Sequence, residues 1–418
     1  MAVYRAPNGG KRKNPSQGKY YRSPSGKRSI DDRKTYYKQK EAAHKKKRKY
    51  VVAVIVVLLL IAAVTFSIIL IGRGCSAEQK QAVQPAPTQP TAAPTEPTVP
   101  LYTPAQVNLP ELEDNGADGY MDDNIYIWNA KGFDLFLGNE NSALNYANAI
   151  SSFKEALGNA ITVYNMVIPN HTEFGLPARL SQEINSNPQR DNTTVIYSNY
   201  STAVIPVDVY NAIGQKRNDY MYFNTDPRWT SLGAYYAYTV FAQTAGFEPV
   251  KLDQLEQNTL SDFAGSYVTS TWNEDLMENL DTINYYTPAS NIECSLYRTD
   301  EDGRTSSSPE KVPLYKEITD GEDYYSVFLH GDNARMVIDN KDLSDGRKLA
   351  LVKDAYGNAI APFLCENYDE VHVIDFRYFD GNLKDYCTQN KIEEVLFLNG
   401  IMSANSALQV ENLSRLFQ

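Results

Sequence analysis

An uncharged apolar segment near the N-terminus divides this chain of 418 residues into two unlike parts. The segment is "VVAVIVVLLLIAAVTFSIILI", Val51–Ile71, and at about 1.5 Å per residue it can cross the hydrocarbon core of about 30 Å as one transmembrane helix. The basic stretch "HKKKRKY" precedes it directly, so the positive-inside rule predicts a cytoplasmic N-terminus and an extracellular C-terminal part. A cleaved signal peptide is the alternative. Because its apolar region is normally only roughly 7–15 residues long, we favour an uncleaved signal anchor in the cell membrane.

The charges of the two parts have opposite signs. Residues 1–50 hold 17 Lys/Arg and 3 Asp/Glu, about +14, and the rest of the chain carries about −25. The basic tail is rich in Gly, Ser and Pro, so we predict that it is disordered and lies in the cytoplasm. Holding the tail inside is enough to explain its charge, and contact with anionic lipid is the alternative. The acidic remainder would repel phosphates, which argues against nucleic-acid binding by the main domain.

A linker, residues 72–117, is predicted to separate the membrane segment from the main domain, residues 118–418. It contains "AVQPAPTQPTAAPTEPTVP", Ala82–Pro100, a composition that favours extended polyproline II. At about 3.1 Å per residue such a segment can hold a domain well away from the bilayer.

Apolar patterns in the main domain predict alternating helices and strands. Ser142–Gly158 and Thr230–Gly246 have helical periodicity, and Thr230 or Ser231 is the expected N-cap of the second helix. The stretches "AITVYNMVIP" and "TTVIYSNY", Thr193–Tyr200, are predicted strands.

Four further apolar runs follow: "YYSVFLHG", "KLALVK", "EVHVIDF" and "EEVLFL". We interpret them as strands, with helical segments between the last three. This order predicts an α/β fold with a mainly parallel sheet and helices on both faces. A functional site is expected where the carboxyl ends of the strands meet.

One such strand end, "KLALVKDAYGN", residues 348–358, has the form of a junction that presents a nucleophile. A buried strand, a turn at Asp354 and Gly357, and the start of a helix follow one another. The residue at the apex, however, is Ala355.

Two stretches resemble the DHHW family of Gram-positive envelope proteins. They are "YFNTDPRWTSLGAYYAY", Tyr222–Tyr238, and "LVKDAYGNAIAPFLCENYDEVHVIDFRYF", Leu351–Phe379. That family is similar to the alginate O-acetyltransferases, so the resemblance implies an SGNH-hydrolase-like fold and acyl transfer or ester hydrolysis through an acyl-serine. Its signatures read Thr-Asp-x-His-Trp-Thr and Lys-Asp-Ser-Tyr.

Carried onto this chain, the resemblance places the three catalytic positions at Asp226, Arg228 and Ala355. Two of them depart from the family pattern, because arginine replaces histidine and alanine replaces serine. Arginine stays protonated and has no acceptor for a hydroxyl proton, and alanine has nothing to acylate. The sequence therefore predicts a pseudoenzyme, in which Asp226 pairs with Arg228 or another cation.

Replacement catalytic residues are the alternative. His330, at the end of "YYSVFLHG", is the only plausible replacement base, and Ser266 in "FAGSYV" is a possible nucleophile. A lone histidine or serine at such positions is more often structural. An active O-acetyltransferase or esterase on cell-wall glycans stays open on this basis.

Several retained residues fit either a binding role or a structural role. Lys353, Asp354, Tyr356 and Asn358 match the family pattern and are candidates for a polar floor that binds a sugar or an acyl oxygen. The alternative is turn chemistry, since Asp and Asn hydrogen-bond their own backbone. Trp229 is a candidate for stacking on a sugar, but we favour an anchoring role.

No sequence pattern calls for a cofactor or a metal. There is no Cys-x-x-Cys pair, no His-x-x-x-His pair and no Gly-rich phosphate loop. Cys365 and Cys387 are interpreted as small buried residues, with a disulfide as the alternative. The predicted partners are the membrane and either cell-wall polysaccharide or an envelope protein. A structural envelope protein that acts through its basic tail is a third hypothesis.

Overall fold

The structure is a computed structural model that describes residues 102–300, 303–319 and 321–418. The predicted basic tail, the apolar segment Val51–Ile71 and the linker up to residue 101 lie outside the described residues. In the part of the chain that is described, no helix combines the length and apolar character needed to span a bilayer.

Thirteen strands are present in the described residues. They are β1 (Tyr120–Asp122), β2 (Ile125–Trp128), β3 (Lys131–Asp134), β4 (Thr162–Ile168), β5 (Val204–Pro206), β6 (Glu256–Phe263), β7 (Asp281–Thr287), β8 (Ile292–Tyr297), β9 (Glu310–Val312), β10 (Arg335–Asn340), β11 (Lys348–Lys353), β12 (Glu370–Asp375) and β13 (Glu394–Gly400).

The helices of the same residues are mostly short. They are α1 (Glu140–Leu157), α2 (His171–Gly175), α3 (Ala178–Glu183), α4 (Gln189–Ser198), α5 (Tyr210–Gly214), α6 (Ser231–Thr244), α7 (Ser266–Thr271), α8 (Glu274–Glu278), α9 (Gly357–Leu364), α10 (Leu383–Asn390), α11 (Ile401–Ala404) and α12 (Ala407–Ser414). Three 3₁₀ turns cover Leu252–Gln254, Tyr324–Val327 and Arg415–Phe417.

An eight-stranded sheet with the order β5-β4-β13-β11-β12-β10-β8-β9 forms the centre of the fold. Its first five strands are parallel to one another, and β10, β8 and β9 continue the sheet in antiparallel fashion. The predicted mixed α/β architecture is confirmed, with the parallel part confined to five strands. The strands β1-β2-β3 and β6-β7 form two smaller antiparallel sheets.

Both faces of the central sheet are covered, as β11 illustrates. Leu349 and Leu351 point into one core cluster with residues of α6 and α9, whereas Ala350 and Val352 point into the other with residues of α1, α4, α10 and α12. A strand whose successive side chains are all buried is typical of a parallel sheet between two helical layers.

The two longest helices both have side-chain N-caps; α6 begins as the sequence predicts, and α1 begins two residues before the predicted Ser142. In α1 the Asn139 side chain accepts from the N–H of Ser142, whose hydroxyl accepts from the N–H of Asn139, a reciprocal cap. In α6 the side chain of Thr230 accepts from the N–H of Gly233, so Thr230 is the N-cap. Gly246, with φ of 84°, lies just past the end of α6 in the left-handed region.

Two predicted strands are wrong. Thr193–Tyr200 lies largely in α4, because Thr193, Ile196 and Tyr197 recur at helical spacing and are all buried. Their β-branched and aromatic character had favoured a strand, and packing overrides that propensity. "YYSVFLHG" forms the 3₁₀ turn Tyr324–Val327, after which Leu329 and His330 have φ of 55° and 61°. Left-handed backbone cannot continue a strand, so His330 does not end one.

Residues 102–117 contain no helix or strand but contact the domain. The Tyr102 hydroxyl donates to Asp208, and the carbonyl of Ala105 accepts from Asn211 and Arg190. Leu109 packs against a core cluster of the domain.

Three cysteines, Cys294, Cys365 and Cys387, are buried and free in the structure. This agrees with their interpretation as small buried residues rather than with a bridge between Cys365 and Cys387. Cys75 lies outside the described residues.

Candidate functional site

The turn between β11 and α9 is held by the carboxylate of Asp354. One carboxylate oxygen accepts from the N–H of Tyr356 at 3.0 Å and the other from the N–H of Gly400, at the end of β13, at 2.8 Å. Burial raises the pKa of Asp354 above its ordinary value. Gly357 permits the tight entry into α9, since a Cβ there would lie 2.4 Å from the Cβ of Lys353. The predicted strand, turn and helix are therefore present, with the half-buried Ala355 at the apex.

The loop before α6 carries a buried ion pair between Asp226 and Arg228. The guanidinium donates through Nε to Oδ1 at 2.6 Å and through Nη2 to Oδ2 at 2.8 Å, a bidentate arrangement. The N–H groups of Arg228 and Ser266 also donate to this carboxylate, at 3.1 and 3.0 Å. The side chain of Asp226 has no exposed area, and that of Arg228 is 16% exposed.

The electrostatics of the pair follow from this geometry. Burial acts to raise the pKa of Asp226, but the charge and hydrogen bonds of Arg228, together with the two N–H donors, hold that pKa below its ordinary value. Asp226 in turn raises the pKa of Arg228 against the effect of burial. Both groups are therefore charged at every physiological pH, and residue 228 cannot accept a proton.

Two hydrogen bonds join this loop directly to the Ala355 turn, and Tyr325 bridges the two segments. The centroid of the Tyr325 ring lies 3.5 Å from the guanidinium carbon of Arg228, and the Tyr325 hydroxyl donates to the carbonyl of Ala355 at 3.1 Å. Tyr356 Oη donates to the carbonyl of Pro227 at 2.6 Å, and Trp229 Nε1 donates to that of Tyr356 at 2.9 Å. Residues 225–229 and 354–357, together called the junction below, thus lie side by side. The fold brings together Asp226, Arg228 and Ala355, which are far apart in sequence.

Trp229 is fully buried, and its ring meets that of Tyr356 edge to face, with the centroids 5.6 Å apart. In this position it anchors α6 to the Ala355 turn, and neither face of the indole is available to a sugar. Tyr356 is likewise engaged through its hydroxyl and its carbonyl.

A charged network lies beside the junction, at the ends of β11 and β12. Lys353 Nζ contacts Asp375 at 2.6 Å and Asp332 at 3.2 Å. Arg377 contacts the same two carboxylates at 2.6 and 2.9 Å. Asn358 donates to Asp332 at 2.9 Å, while its own Oδ1 is buried without a hydrogen-bond partner in the described residues.

Two predicted binding residues, Lys353 and Asn358, take part in this network. Both side chains are almost completely buried and point to carboxylates of the protein. Burial acts to raise the pKa of Asp332, but Lys353 and Arg377 hold that pKa well below its ordinary value. Sequence reasoning did not single out Asp332, Asp375 or Arg377, although "HGDN" and "IDFRY" carry them. Charged residues directly after apolar runs were the available signal.

His330 and Ser266 contact different parts of the protein. The ring of His330 makes a 2.7 Å hydrogen bond to the carbonyl of Pro313, and burial lowers its pKa. The charges that act on it belong to Arg298, Lys316 and Glu310. Ser266 begins α7, is exposed, and touches the junction through its backbone N–H. No hydrogen bond joins the two side chains in the part of the chain that the structure describes.

The remaining described histidines are buried. His372 bonds Tyr386 at 2.7 Å and Glu370 at 2.9 Å, so both ring nitrogens have partners. His171 begins α2 and stacks on Tyr222. Among the described residues, no group of three or more His, Cys, Asp or Glu side chains is arranged to hold a metal ion.

The arrangement has a clear chemical consequence. Acyl transfer through the family's route needs a hydroxyl at position 355 and a proton acceptor at position 228. Neither is present. The junction instead has Arg228 Nη1 as a hydrogen-bond donor for a ligand, since Nε and Nη2 both donate to Asp226.

Comparison with known proteins gives the following matches. A family model described as "DHHW protein" matches residues 115–374, a range that contains both Asp226 and Ala355. The crystal structure of a DHHW family protein from Eubacterium siraeum is 30% identical, with a TM-score of 0.64 over 72% of this chain and 98% of that one. A search of curated proteins found no match.

Two structures of Bacillus cereus PatB1 are also similar. The first is 18% identical, with a TM-score of 0.55 over 70% of this chain and 98% of PatB1. The second, with a sulfonyl adduct, is 18% identical, with a TM-score of 0.56 over 71% of this chain and 99% of that one. At this identity the likeness concerns the fold.

Proposed function

Because this chain belongs to the DHHW protein family, we propose that it is a membrane-anchored, SGNH-like pseudoenzyme of the bacterial cell envelope. Its main domain binds cell-surface polysaccharide or a partner protein without turning over an ester. The proposal takes Val51–Ile71 as a single membrane span, the N-terminus as cytoplasmic and residues 118–418 as extracellular.

The observation that carries the proposal is the bidentate pair of Asp226 and Arg228 beside Ala355. A catalytic aspartate must orient a neutral histidine that takes the proton of the serine hydroxyl. Here the aspartate is neutralised by a permanent cation, and the position of the hydroxyl holds a methyl group. Losing the nucleophile and the base together removes the reaction, whereas the hydrogen bonds that form the junction are intact.

A binding role is supported by Arg228 Nη1, which makes no hydrogen bond in the described residues. The side chain of Arg228 is 16% exposed, and its guanidinium is fixed by Asp226 and Tyr325. A guanidinium fixed in this way loses little conformational entropy when it donates to an acyl or sugar oxygen. It retains binding capacity without general-base capacity.

The test compares the purified full chain with the double variant Ala355→Ser/Arg228→His on a chromogenic acetyl ester. The expected result is no saturable turnover by the natural sequence and measurable turnover by the double variant. Each single variant serves as a control, because serine without a base and histidine without a nucleophile should both stay near background.

Saturable turnover by the natural sequence would contradict the proposal and favour an active esterase or O-acetyltransferase. Ser266 is then the first residue to replace, because it is exposed and lies against Asp226. Loss of that turnover in Ser266→Ala, but not in Ser270→Ala, would assign the nucleophile.

A further inference from the structure

A second cleft, outside the junction, is lined by cationic and amide side chains. Its volume is about 470 Å³, within the range of small-molecule sites. The walls come from the end of β2 and the start of β3, from α2, and from the segment 217–224 that leads to Asp226. The side chains used in the argument are Lys131, His171, Arg217 and Asn224, and the cleft is called the Lys131 cleft below.

The two cations of the Lys131 cleft have no carboxylate partner in the described residues. Arg217 donates through Nε and Nη2 to the carbonyls of Phe174 and Leu176, both at 2.9 Å, which fixes its guanidinium without an ion pair. The charge of Glu173 acts on Arg217 without direct contact. Lys131 is half-buried and makes no ion pair in that part of the chain. Burial lowers the pKa of both groups. A desolvated cation without a counter-charge is costly, and a bound anion would remove that cost.

His171 provides an independent indication of a ligand. The ring lines the cleft, the residue is only 8% exposed, and its Nδ1 is buried without a hydrogen-bond partner in the described residues. Burial, together with the charge of Lys131, lowers the pKa of His171 to about 3, so the ring is neutral. Buried polar atoms in native proteins nearly always have partners, so an unpaired imidazole nitrogen in a cleft points to a missing one.

None of the acidic groups near the cleft forms an ion pair with Lys131 or Arg217 in the described residues. Glu113 and Asp219 line it but are exposed. Asp281, whose charge acts on Lys131, is occupied by the hydroxyl of Thr225 and by the N–H groups of Asn224 and Thr225, the latter two at 2.7 Å.

We infer that the Lys131 cleft binds an anionic saccharide, with a carboxylate or phosphate group held between Lys131 and Arg217 and hydrogen-bonded to His171. The surrounding amides suit the hydroxyls of a sugar. The inference rests on the proposed glycan-binding function only for the saccharide part of the ligand. The anion site itself is independent of whether the junction turns over an ester.

The test uses the full chain labelled with ¹³C in the histidine rings. The chain has only 4 histidines, so His171 can be assigned from the spectrum of His171→Gln. Glucuronate, inorganic phosphate and glucose are titrated separately while the His171 signal is followed. We expect a saturable shift with glucuronate, with phosphate or with both, and none with glucose at the same concentrations. Glucuronate alone would indicate a uronic acid polymer, and phosphate alone a phosphodiester polymer.

Lys131→Gln should weaken anion binding about tenfold, because it removes one charge-assisted contact. Lys131→Arg should restore part of the loss. Lys216→Gln is the matched control: Lys216 is exposed, next to Arg217 in sequence, and contacts the ring of Tyr236 outside the cleft. It should change the affinity less than twofold. The His330 and His372 signals report whether each variant is folded.

The inference is overturned if neither anion shifts the His171 signal or if glucose binds as well as the anions. It is also overturned if Lys131→Gln and Lys216→Gln weaken anion binding equally. These outcomes are separate from those of the ester assay. Turnover by the natural sequence would end the pseudoenzyme proposal and leave the anion site untouched.

Discussion

The junction and the Lys131 cleft both contain charged side chains that folding takes out of water. They differ in whether those charges have partners of opposite sign within the protein. In the junction the carboxylate of Asp226 receives four donors, and Arg228 is neutralised by it. In the cleft Lys131 and Arg217 have no carboxylate partner in the described residues, and one nitrogen of His171 is unpaired. Buried polar groups that have partners within the protein stabilise it, whereas polar groups without partners in a cleft are able to bind a ligand.

The two regions also differ in whether they match the family's motifs and in whether their polar groups are available to a ligand. The junction contains the positions that the family resemblance marks as catalytic, yet its groups are largely occupied with one another. The Lys131 cleft carries no motif that the sequence analysis recognised, yet its groups are available. A site inherited with a fold and a site that binds a ligand now need not coincide.

The strongest test of the junction is the removal of one partner of its ion pair. Asp226→Ala leaves Arg228 largely buried without a counter-charge, and we expect a loss of about 3 kcal/mol in the free energy of unfolding. Urea unfolding at neutral pH measures it. The matched control is Asp226→Leu/Arg228→Met, which removes both charges and should recover much of the loss. A single-variant loss below about 1 kcal/mol would mean that the pair does not hold the junction together.

A smaller effect is expected in the adjoining network. Asp332→Asn should lower the free energy of unfolding by about 2 kcal/mol at neutral pH, because Asp332 is charged and paired with Lys353 and Arg377. Its folded-state pKa is depressed, so the contribution is complete above the unfolded value of about 3.9 and is lost as the pH falls towards the folded value. The difference between the natural sequence and Asp332→Asn should therefore shrink below about pH 4.

Urea unfolding of both proteins at pH 7, 4 and 2.5 checks this. The two proteins must be compared because burial raises the pKa values of Asp281 and Asp354. These two groups give the free energy of unfolding of either protein a pH dependence opposite to that of Asp332. An Asp332→Asn penalty that stays constant over this range would show that charge pairing is not its source.

The smallest effect on the free energy of unfolding is expected in the Lys131 cleft. Here the substitution should stabilise the protein or leave its stability unchanged, whereas the two substitutions above should destabilise it. Lys131→Met removes a desolvated charge that has no ion-pair partner in the described residues, so the free energy of unfolding should stay the same or rise by up to about 1 kcal/mol. Thermal and urea unfolding without added anions measure it, with Lys348→Met as the control, since Lys348 pairs with Glu370 at 2.7 Å. If Lys131→Met destabilised the protein more than Lys348→Met, Lys131 would be a structural residue and the contrast between the two regions would fail.

Part of the fold follows from local sequence patterns. Thr230 before a run of Ala and Tyr at helical spacing, and Gly246 after it, predicted α6 because caps and periodicity act over a few residues. The runs around Leu349–Val352, Val371–Ile374 and Val395–Leu398 predicted strands, because a continuous apolar run suits a sheet covered on both faces. Where propensity and packing disagreed, as at Ile196 and Tyr197, packing prevailed.

The sequence by itself determined that the junction has no hydroxyl at position 355 and no proton acceptor at position 228, because the chemistry of Ala355 and Arg228 does not depend on their surroundings. Only the tertiary structure decided which charges are occupied. Lys353 and Asn358 looked available in sequence, but β12 brings Asp375 to Lys353, and Asp332 contacts both. Lys131, His171 and Arg217 looked unremarkable, yet the fold places them around one cleft. Partners that are distant along the chain determine desolvation and pairing, so the energy of a charged group is set by the fold rather than by its neighbours in sequence.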